Sequence, residues 1–343
     1  MSHATAGAEV PGLLALEKRH LPYVFPPAVL ARLRRSVRID TDVSIEGPAG
    51  LADPRVRGAL ARAEILITGW GCPPLDETVL AAAPRLRAVV HTAGTVKGML
   101  APAFWKRGIR VTSAATANAL PVAEYTLAMV LLAGKDLLGQ AATYRAARTF
   151  PLAEIIPGIG NYQRRIAVVG ASRIGRRVIE LLRPFDLHVT LTDPYVDEAG
   201  AAALGVRLVP LDEALATSDI VTVHAPATPE THHLVGRREL ALMPDGAVLI
   251  NTARGSLVDP DALLAEVVPG RLNAILDVTE PEPLPADSPL FTLPNVLLTP
   301  HIAGSQGAEV ARLGLSAVTE IERLAAGLPP LHPVEWEGLE RAA

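Results

Sequence analysis

The sequence of 343 residues lacks the features that would mark several special classes of protein. It holds one cysteine, Cys72, which excludes an internal disulfide, and no cluster of ligand residues suggests a zinc site, so we expect no metal. The net charge of −4 gives no electrostatic reason to expect nucleic acid as a partner.

Two further absences concern location. The N-terminus, MSHATAGAEVPG, lacks a basic start followed by an apolar core, so we expect no signal peptide. The most apolar stretch, residues 125–134, is far shorter than the roughly 20 residues of a membrane-spanning helix. These features predict a cytoplasmic protein without a membrane partner. A chain that is 49% hydrophobic and 20% charged is long enough for two globular domains.

Residues 164–193 have the order strand, glycine turn, helix, strand, acid. A short apolar run ends at Gly170, a helical run follows from residue 173 to 182, and a second apolar run ends at Asp193. This order is typical of a dinucleotide-binding βαβ unit. Gly170 would make the tight turn, Gly175 would let the helix pack closely, and the helix N-terminus would hold a pyrophosphate.

The same stretch favours NAD over NADP. Asp193 would accept hydrogen bonds from the adenosine ribose, and its carboxylate would repel a 2′-phosphate. Ser172 stands where G-x-G-x-x-G has its middle glycine. Serine is small and its hydroxyl can face a phosphate, so we expect Ser172 to change the affinity for the cofactor rather than abolish binding.

Strands alternate with helices on both sides of a long helical run, predicted at residues 121–145. We predict two doubly wound α/β domains, Rossmann- and flavodoxin-like, with a cleft between them. Residues 1–120 with 305–343 would form the substrate-binding domain, and residues 121–304 the NAD-binding domain. A half-buried strand is predicted at residues 37–44, and a terminal helix at 304–326 would pack on the first domain. The apolar faces of the long helix predict a homodimer.

Three polar residues follow apolar runs of the second domain: Arg254, Glu282 and His301. In an open parallel sheet the carboxyl ends of the strands line one crevice, so we expect these side chains to gather there. Each also has a plain structural interpretation: Arg254 as a surface salt-bridge partner, Glu282 as a solvated loop acid and His301 as a hydrogen-bonded structural histidine. Together they make a complete proton-transfer set. Glu280 competes with Glu282 for the role of the acid.

At this point the chain resembles the NAD-dependent D-isomer-specific 2-hydroxyacid dehydrogenases. The stretches that carry the resemblance lie between residues 118 and 305 and read VVGASRIGR, HAPATPETHHLV, INTARGSLVD, DVTEPEP and LTPHIAGS. The resemblance implies that Arg254 binds the substrate carboxylate and carbonyl and that His301 is the acid/base. Its partner would be Glu282, the acid before proline in the family's motif.

The resemblance also implies contacts with the cofactor and the substrate. Asp277 would contact the nicotinamide carboxamide, and the backbone N–H groups around Ala93 and Gly94 would hold the other end of the substrate carboxylate. The substrate-binding residues would thus be Ala93, Gly94, Arg254 and His301. Residues expected along the cofactor are Gly170, Ser172, Arg173, Ile174, Gly175, Asp193, His224, Pro226, Thr231, Thr252, Ala253, Asp277, His301 and Gly304. The stretch HTAGTVKG departs from the family's substrate loop, which leaves the substrate open.

We therefore expect an NAD(H)-dependent oxidoreductase that interconverts a 2-oxo acid and a D-2-hydroxy acid, with hydride from the nicotinamide and a proton from His301. Two alternatives stay open at this stage. One is an NADH-sensing, corepressor-like binding protein. The other is a dehydrogenase of the formate or phosphite type, whose small substrates also need an arginine.

Overall fold

The computed structural model describes residues 10–341, which form two compact units. One unit takes the described residues up to Asn118 and those from Ser305 onward, and the other takes Ala119–Gly304. Most of the N-terminal stretch on which the expected absence of a signal peptide rests lies outside the described residues.

The first unit is built on five parallel strands in the order β2-β1-β3-β4-β5. Of the three central strands, β3 and β4 are buried throughout and β1 over its last three residues, as expected for a parallel sheet covered by helices. The strands are β1 Val10–Ala15, β2 Val37–Arg38, β3 Ile65–Thr68, β4 Ala88–His91 and β5 Arg110–Ser113. Because β1 lies between β2 and β3, this order is flavodoxin-like.

The second unit is built on seven parallel strands in the order β12-β11-β10-β9-β6-β7-β8. The chain starts at β6, moves outward to β8, returns to β9 beside β6, and continues to β12. The strands are β6 Arg164–Val169, β7 Leu187–Thr192, β8 Arg207–Leu208, β9 Ile220–Val223, β10 Val248–Asn251, β11 Asn273–Leu276 and β12 Val296–Leu298. This doubly wound order is that of a Rossmann fold, so the predicted α/β class is confirmed for both units.

Helices cover the sheets. Those that begin in the first unit are α1 Leu21–Val24, α2 Pro27–Leu33, α3 Gly47–Gly50, α4 Pro54–Leu60, α5 Glu77–Ala82, α6 Ala103–Lys106 and α7 Ala115–Gly134. Those of the second unit are α8 Leu137–Ala147, α9 Arg173–Leu182, α10 Glu198–Ala203, α11 Leu211–Thr217, α12 Arg237–Leu242 and α13 Pro260–Val267. Short 3₁₀ turns include Lys18–His20, Pro229–Thr231, Gly255–Leu257, Pro289–Phe291, Gly307–Glu309 and Trp336–Arg341.

The last helix, α14 Val310–Ala325, belongs to the first unit and packs on its helices α1 and α2, as predicted. Its buried face joins an apolar cluster with Leu14 and Phe25. The guanidinium of Arg32 donates two hydrogen bonds to the carboxylate of Glu322, at 2.8 and 2.6 Å. The return of the terminal helix thus completes the covering of the first sheet.

Besides the terminal helix, which begins at Val310 rather than at residue 304, two predicted elements are wrong in their bounds. The half-buried strand expected at residues 37–44 ends after Val37–Arg38. The Asp40 carboxylate accepts the backbone N–H of Asp42, which makes a turn. Beyond the turn, Ser44 bonds Leu16 through its side-chain hydroxyl, which accepts the Leu16 N–H and donates to its carbonyl. The turn and this side-chain pairing replace the expected strand ladder.

The long helix expected at residues 121–145 is two helices. α7 starts six residues earlier than predicted, so Pro121 lies inside it, and the chain breaks at Asp136, whose φ of 47° is left-handed. Among the described residues, α7 is the one helix that by length and composition could cross a membrane, and 39% of its most apolar window is buried within the protein. The core helix of a globular protein passes the same test, so this is weak evidence for a membrane.

Candidate active site

The glycine turn after β6 lies at the point where the strand order of the second sheet reverses. Gly170 has φ of 98°, and a Cβ there would lie 2.6 Å from the backbone nitrogen of Ala225. A Cβ on Gly175 would lie 2.0 Å from the carbonyl oxygen of Gly170. Both positions therefore exclude a side chain, and the start of α9 is left open for a ligand's phosphates.

Ser172 is the N-cap of α9. Its hydroxyl accepts a hydrogen bond from the backbone N–H of Gly175 at 3.3 Å, and this bond caps the helix. Arg173 is exposed on the first turn, and Ile174 is half-buried against the apolar cluster under the helix. The replacement of the middle glycine thus has a local structural role, and the backbone N–H groups of the turn remain the natural donors to an anion.

Asp193 follows β7 and lies beside the glycine turn. Its two carboxylate oxygens accept the backbone N–H groups of Ala171, at 2.6 Å, and Tyr195, at 2.8 Å. Each oxygen keeps a second lone pair for a ligand hydroxyl. The carboxylate is therefore fixed in place and still able to bind a ribose.

His224 follows β9 on the other side of the reversal point and is fully buried. Its Nε2 lies 2.9 Å from the Thr222 hydroxyl, and burial lowers its pKa to about 3, so the ring is neutral. Among the described residues its Nδ1 has no hydrogen-bond partner. A buried nitrogen without a partner beside the glycine turn fits a site that a polar ligand completes.

The loop after His224 is organised by Thr231. Its hydroxyl donates to the carbonyl of Pro226 at 2.6 Å and accepts the backbone N–H of Thr228 at 2.9 Å. Thr252 is buried after β10, with its hydroxyl 3.0 Å from that of Thr126. These expected cofactor residues therefore shape the loops around the site through their own hydrogen bonds.

Arg254 is held by a loop that Asn251 and Gly255 shape. The Asn251 side chain donates to the Arg254 carbonyl at 2.8 Å and accepts the N–H of buried Ala253 at 3.0 Å. A Cβ on Gly255 would lie 2.0 Å from the carbonyl of Thr279, so the two loops pack backbone to backbone. Neither Asn251 nor Gly255 was singled out from the sequence, although both lie in the stretch INTARGSLVD.

The guanidinium of Arg254 remains available to a ligand. Burial lowers its pKa below the usual value and the nearby Glu282 carboxylate opposes this, so arginine stays charged. One of its five N–H donors is used, by Nη1 bonding the Ala253 carbonyl at 2.6 Å. A half-buried arginine with spare donors is suited to a carboxylate.

His301 is paired with Glu282. Its Nδ1 lies 2.5 Å from Oε1 of Glu282, which leaves Nε2 free to face a ligand. The competing acid, Glu280, is instead 3.0 Å from Nε2 of His233. The backbone of His301 is left-handed, with φ of 54°, and its N–H donates to the carbonyl of Asp277 at 3.0 Å. The structure therefore pairs His301 with the acid that the resemblance favoured and places the competing acid beside another histidine.

Asp277 is buried under the turn that carries His301. Its carboxylate accepts the N–H groups of Ile302 and Ala303, both at 2.8 Å, and the hydroxyl of Thr299 at 2.6 Å. Thr299 in turn lies 2.8 Å from the hydroxyl of Tyr125 on α7. Asp277 thus positions the histidine turn, and Thr299 is a positioning residue that was not singled out from the sequence.

Strand order explains how Arg254, Glu282 and His301 come together. Their loops follow β10, β11 and β12, which are neighbours in the sheet with Asn251 paired to Leu276 and Leu276 to Leu298. A cavity of about 480 Å³ opens beside Asp277, Glu282 and His301. Gly304, the last described residue of the second unit, follows shortly after His301 in the chain.

Ala93 and Gly94 lie in the first unit, directly after β4. Ala93 is buried, and its carbonyl accepts the N–H of Ala114 at 3.1 Å. A Cβ on Gly94 would meet only the Asn118 amide, at 3.6 Å. Their expected contact with a substrate carboxylate stays a prediction.

Residues 127–303, just over half of the chain, match the family described as D-isomer specific 2-hydroxyacid dehydrogenase, NAD binding domain. The chain belongs to this family. NAD is the cofactor of this domain, and the glycine turn, Asp193 and the unpaired nitrogen of His224 fit its binding.

Individual relatives support the same family. D-3-phosphoglycerate dehydrogenase from Mycobacterium bovis is 36% identical over 254 residues, which are 74% of this chain and 48% of that protein. Glyoxylate reductase from Korarchaeum cryptofilum is 34% identical over 70% of this chain and 73% of that protein. The crystal structure of the TT0316 protein from Thermus thermophilus has a TM-score of 0.75 at 31% identity, covering 94% and 99% of the two chains. The chain spans about half the length of the mycobacterial relative.

Proposed function

We propose that the protein is an NAD(H)-dependent oxidoreductase that interconverts a 2-oxo acid and a D-2-hydroxy acid. The observation that carries the proposal is the His301–Glu282 pair, at 2.5 Å, beside a half-buried arginine at the carboxyl ends of adjacent strands. A relative named glyoxylate reductase, of which the chain covers 73%, supports a small 2-oxo acid as the substrate class.

Each residue has a role that its geometry supports. Arg254 would bind the substrate carboxylate through parallel N–H donors and offset negative charge that builds on the carbonyl oxygen. Nε2 of His301 would donate a proton to that oxygen in reduction and accept it in oxidation, while Glu282 holds the ring through Nδ1. The bound NAD(H) supplies or accepts the hydride.

The experiment that tests this proposal follows NADH consumption with a panel of 2-oxo acids: glyoxylate, hydroxypyruvate, pyruvate and bulkier ones. We expect turnover on at least one acid, and His301→Gln should lower it by about 10²- to 10⁴-fold with little change in NADH affinity. No turnover on any acid, together with tight NADH binding, would instead favour an NADH sensor. Turnover on formate or phosphite alone would favour that class of dehydrogenase.

We also propose that the protein is a homodimer formed by its second unit. Between α7, α8 and the starts of β10 and β11 lies an apolar cavity of about 290 Å³, lined in part by Met129, Leu137 and Ile275. The chain after α8 leaves large apolar side chains in solvent, with Leu152 84% and Ile155 88% exposed. Exposed apolar surface of this kind marks an interface. In a dimer with twofold symmetry, the segment after α8 of each copy would pack on the apolar cavity of the other copy.

Sedimentation equilibrium tests the dimer. Leu152→Glu with Ile155→Glu should give monomers, because two charges would be buried in an apolar groove. The matched control is Leu328→Glu, which changes an exposed leucine of the first unit and should leave the dimer intact. A dimer that survives the double variant contradicts this interface.

We further propose a cytoplasmic location on the sequence features given above, and cell fractionation tests it.

A further inference from the structure

The imidazoles of two adjacent histidines lie beside the carboxylate of Glu280, which comes shortly before Glu282 in the chain. His232 and His233, in the loop after β9, are stacked with ring centroids 3.8 Å apart. Nε2 of His233 lies 3.0 Å from one oxygen of Glu280, and Nε2 of His232 lies 3.7 Å from the other. Neither histidine has a role in the proposed reaction.

The spacing of these atoms suits a divalent ion. The ligand atoms of His232, His233 and Glu280 all lie within 4.8 Å of one another. In a tetrahedral zinc site with bonds near 2.1 Å, neighbouring ligand atoms are roughly 3.4 Å apart. The two nitrogen–oxygen distances fall on either side of that value, so small side-chain rotations bring the atoms to the required spacing.

A second carboxylate stands behind His233. Oδ2 of Asp259 lies 3.9 Å from Nδ1 of His233, on the side of the ring away from Glu280. Asp259 is itself fixed as the N-cap of α13, where it accepts the N–H groups of Asp261 and Ala262 at 3.0 Å. This distance is longer than a hydrogen bond, so Asp259 acts on His233 as a nearby negative charge. If a side-chain rotation brought it within hydrogen-bond distance of Nδ1, it would fix the tautomer whose Nε2 lone pair points at the ion.

The backbone holds His233 in this position. Its φ of 53° is left-handed, and its N–H donates to the carbonyl of Ser256 at 2.8 Å. Ser256 follows Gly255, which packs so closely on the backbone of Thr279 and Glu280 that an added Cβ would lie 2.0 Å from the Thr279 carbonyl oxygen. Three loops therefore converge at the cluster, and one of them carries Arg254.

We propose that His232, His233 and Glu280 form a binding site for a divalent transition metal of the zinc class, with a fourth position open to water. Two imidazoles and a carboxylate are a common zinc ligand set, and His232 and Glu280 are exposed enough for the ion to enter. The ion would join the loop after β9 to the segment after β11 and keep Glu280 away from His301. No metal was expected from the sequence, because these ligands lie 47 residues apart in the chain.

The test uses the full chain without an affinity tag, freed of metal by a chelator and without substrate or NADH. Titration with Co²⁺ should give visible absorption bands that saturate at one ion per chain, and Zn²⁺ should displace it. His232→Ala, His233→Asn and Glu280→Gln should each weaken Co²⁺ binding at least about 10-fold, because each removes one ligand. Asparagine at position 233 tolerates the left-handed backbone. The matched control, His188→Ala, removes an exposed histidine on β7 and should bind as the wild type does.

A second readout follows thermal unfolding. Zn²⁺ should raise the Tm of the wild type and of His188→Ala, but not of the three ligand variants. Sub-stoichiometric binding by the wild type overturns the proposal, and so does binding that survives all the ligand variants. Loss of binding in Glu282→Gln with retention in Glu280→Gln would place the ion at His301 and also overturn it. Since each variant removes a different ligand, misfolding of one leaves two that decide the question.

Discussion

Both units pair a buried histidine with a threonine at the carboxyl end of their sheet. His91 closes β4 with its Nδ1 2.9 Å from the Thr68 hydroxyl, and His224 follows β9 with its Nε2 2.9 Å from that of Thr222. Burial lowers the pKa of His91 to about 4 and that of His224 to about 3. His301 differs from both, because it is half-exposed and bonded to a carboxylate.

The difference shows that a shared architecture does not decide which histidine is bonded to a carboxylate beside an arginine. A doubly wound sheet places polar residues at the carboxyl ends of strands in both units, but what each loop brings there differs. In the second unit three adjacent loops bring an arginine, an acid and a histidine. Four sets of substitutions can break or sharpen this contrast: two compare a residue of the second unit with a counterpart in the first, and two probe the first unit alone.

The largest contrast is between two arginines. Arg254→Lys should lower turnover by about 10²- to 10³-fold, because lysine keeps the charge and loses the paired donors. NADH affinity, measured by fluorescence titration, should change little. The control is Arg107→Lys in the first unit, where the guanidinium donates to the carbonyls of Leu80, Ala83 and Pro84.

Arg107→Lys should lower the free energy of unfolding by about 1 kcal/mol and leave turnover per folded molecule unchanged. If Arg254→Lys instead lowers NADH affinity in step with turnover, Arg254 is a structural residue and the contrast fails.

The next contrast is between two glycines. Gly175→Ala puts a methyl group 2.0 Å from the Gly170 carbonyl and should destabilise the second unit by about 1–3 kcal/mol, with weaker NADH binding. Gly58→Ala, in α4 of the first unit, meets only Arg62 at 3.6 Å and should stabilise by up to about 1 kcal/mol. Urea unfolding curves measure both changes in stability. Equal effects would show that α9 does not depend on the close packing of Gly175 against the Gly170 carbonyl.

Acidification tests the buried histidine of the first unit. The folded-state pKa of His91, about 4, lies below the unfolded value near 6.5, so the unfolded chain binds the proton first as the pH falls. The stability that His91 contributes is complete above pH 6.5 and is lost on the way down to pH 4. At pH 5 the loss should be about 2 kcal/mol. In His91→Gln the Tm should therefore fall less between pH 7 and pH 5 than in the wild type. An equal fall in Tm in the two proteins would refute this prediction.

The smallest structural effect is expected at Gly94. A methyl group there has room beside Asn118, so Gly94→Ala should change the free energy of unfolding by less than about 0.5 kcal/mol. If the neighbouring N–H groups bind the substrate carboxylate, the KM for the 2-oxo acid should rise while NADH affinity stays constant. An unchanged KM would remove Ala93 and Gly94 from the substrate site.

Elements bounded by strong local signals were predictable. α9 occupies Arg173–Leu182, as predicted, because Gly170 and Pro184 delimit it and its apolar positions recur at helical spacing. The two apolar runs predicted before Gly170 and Asp193 are likewise strands, β6 and β7. The strand at residues 37–44 and the helix at 121–145 were wrong because side-chain hydrogen bonds of Asp40 and Ser44, and the left-handed Asp136, override the hydrophobic pattern.

The order of residues along the chain determined the two doubly wound sheets, the glycine turn and the three polar residues that follow β10, β11 and β12. Such features are local or periodic, so a single strand or helix carries the signal. The resemblance already favoured Glu282 as the partner of His301. Only the tertiary structure decided that Glu280 pairs with His233 and that Ser172 caps a helix. Those outcomes depend on distances between loops far apart in sequence, which the register of the strands and the packing of the loops determine.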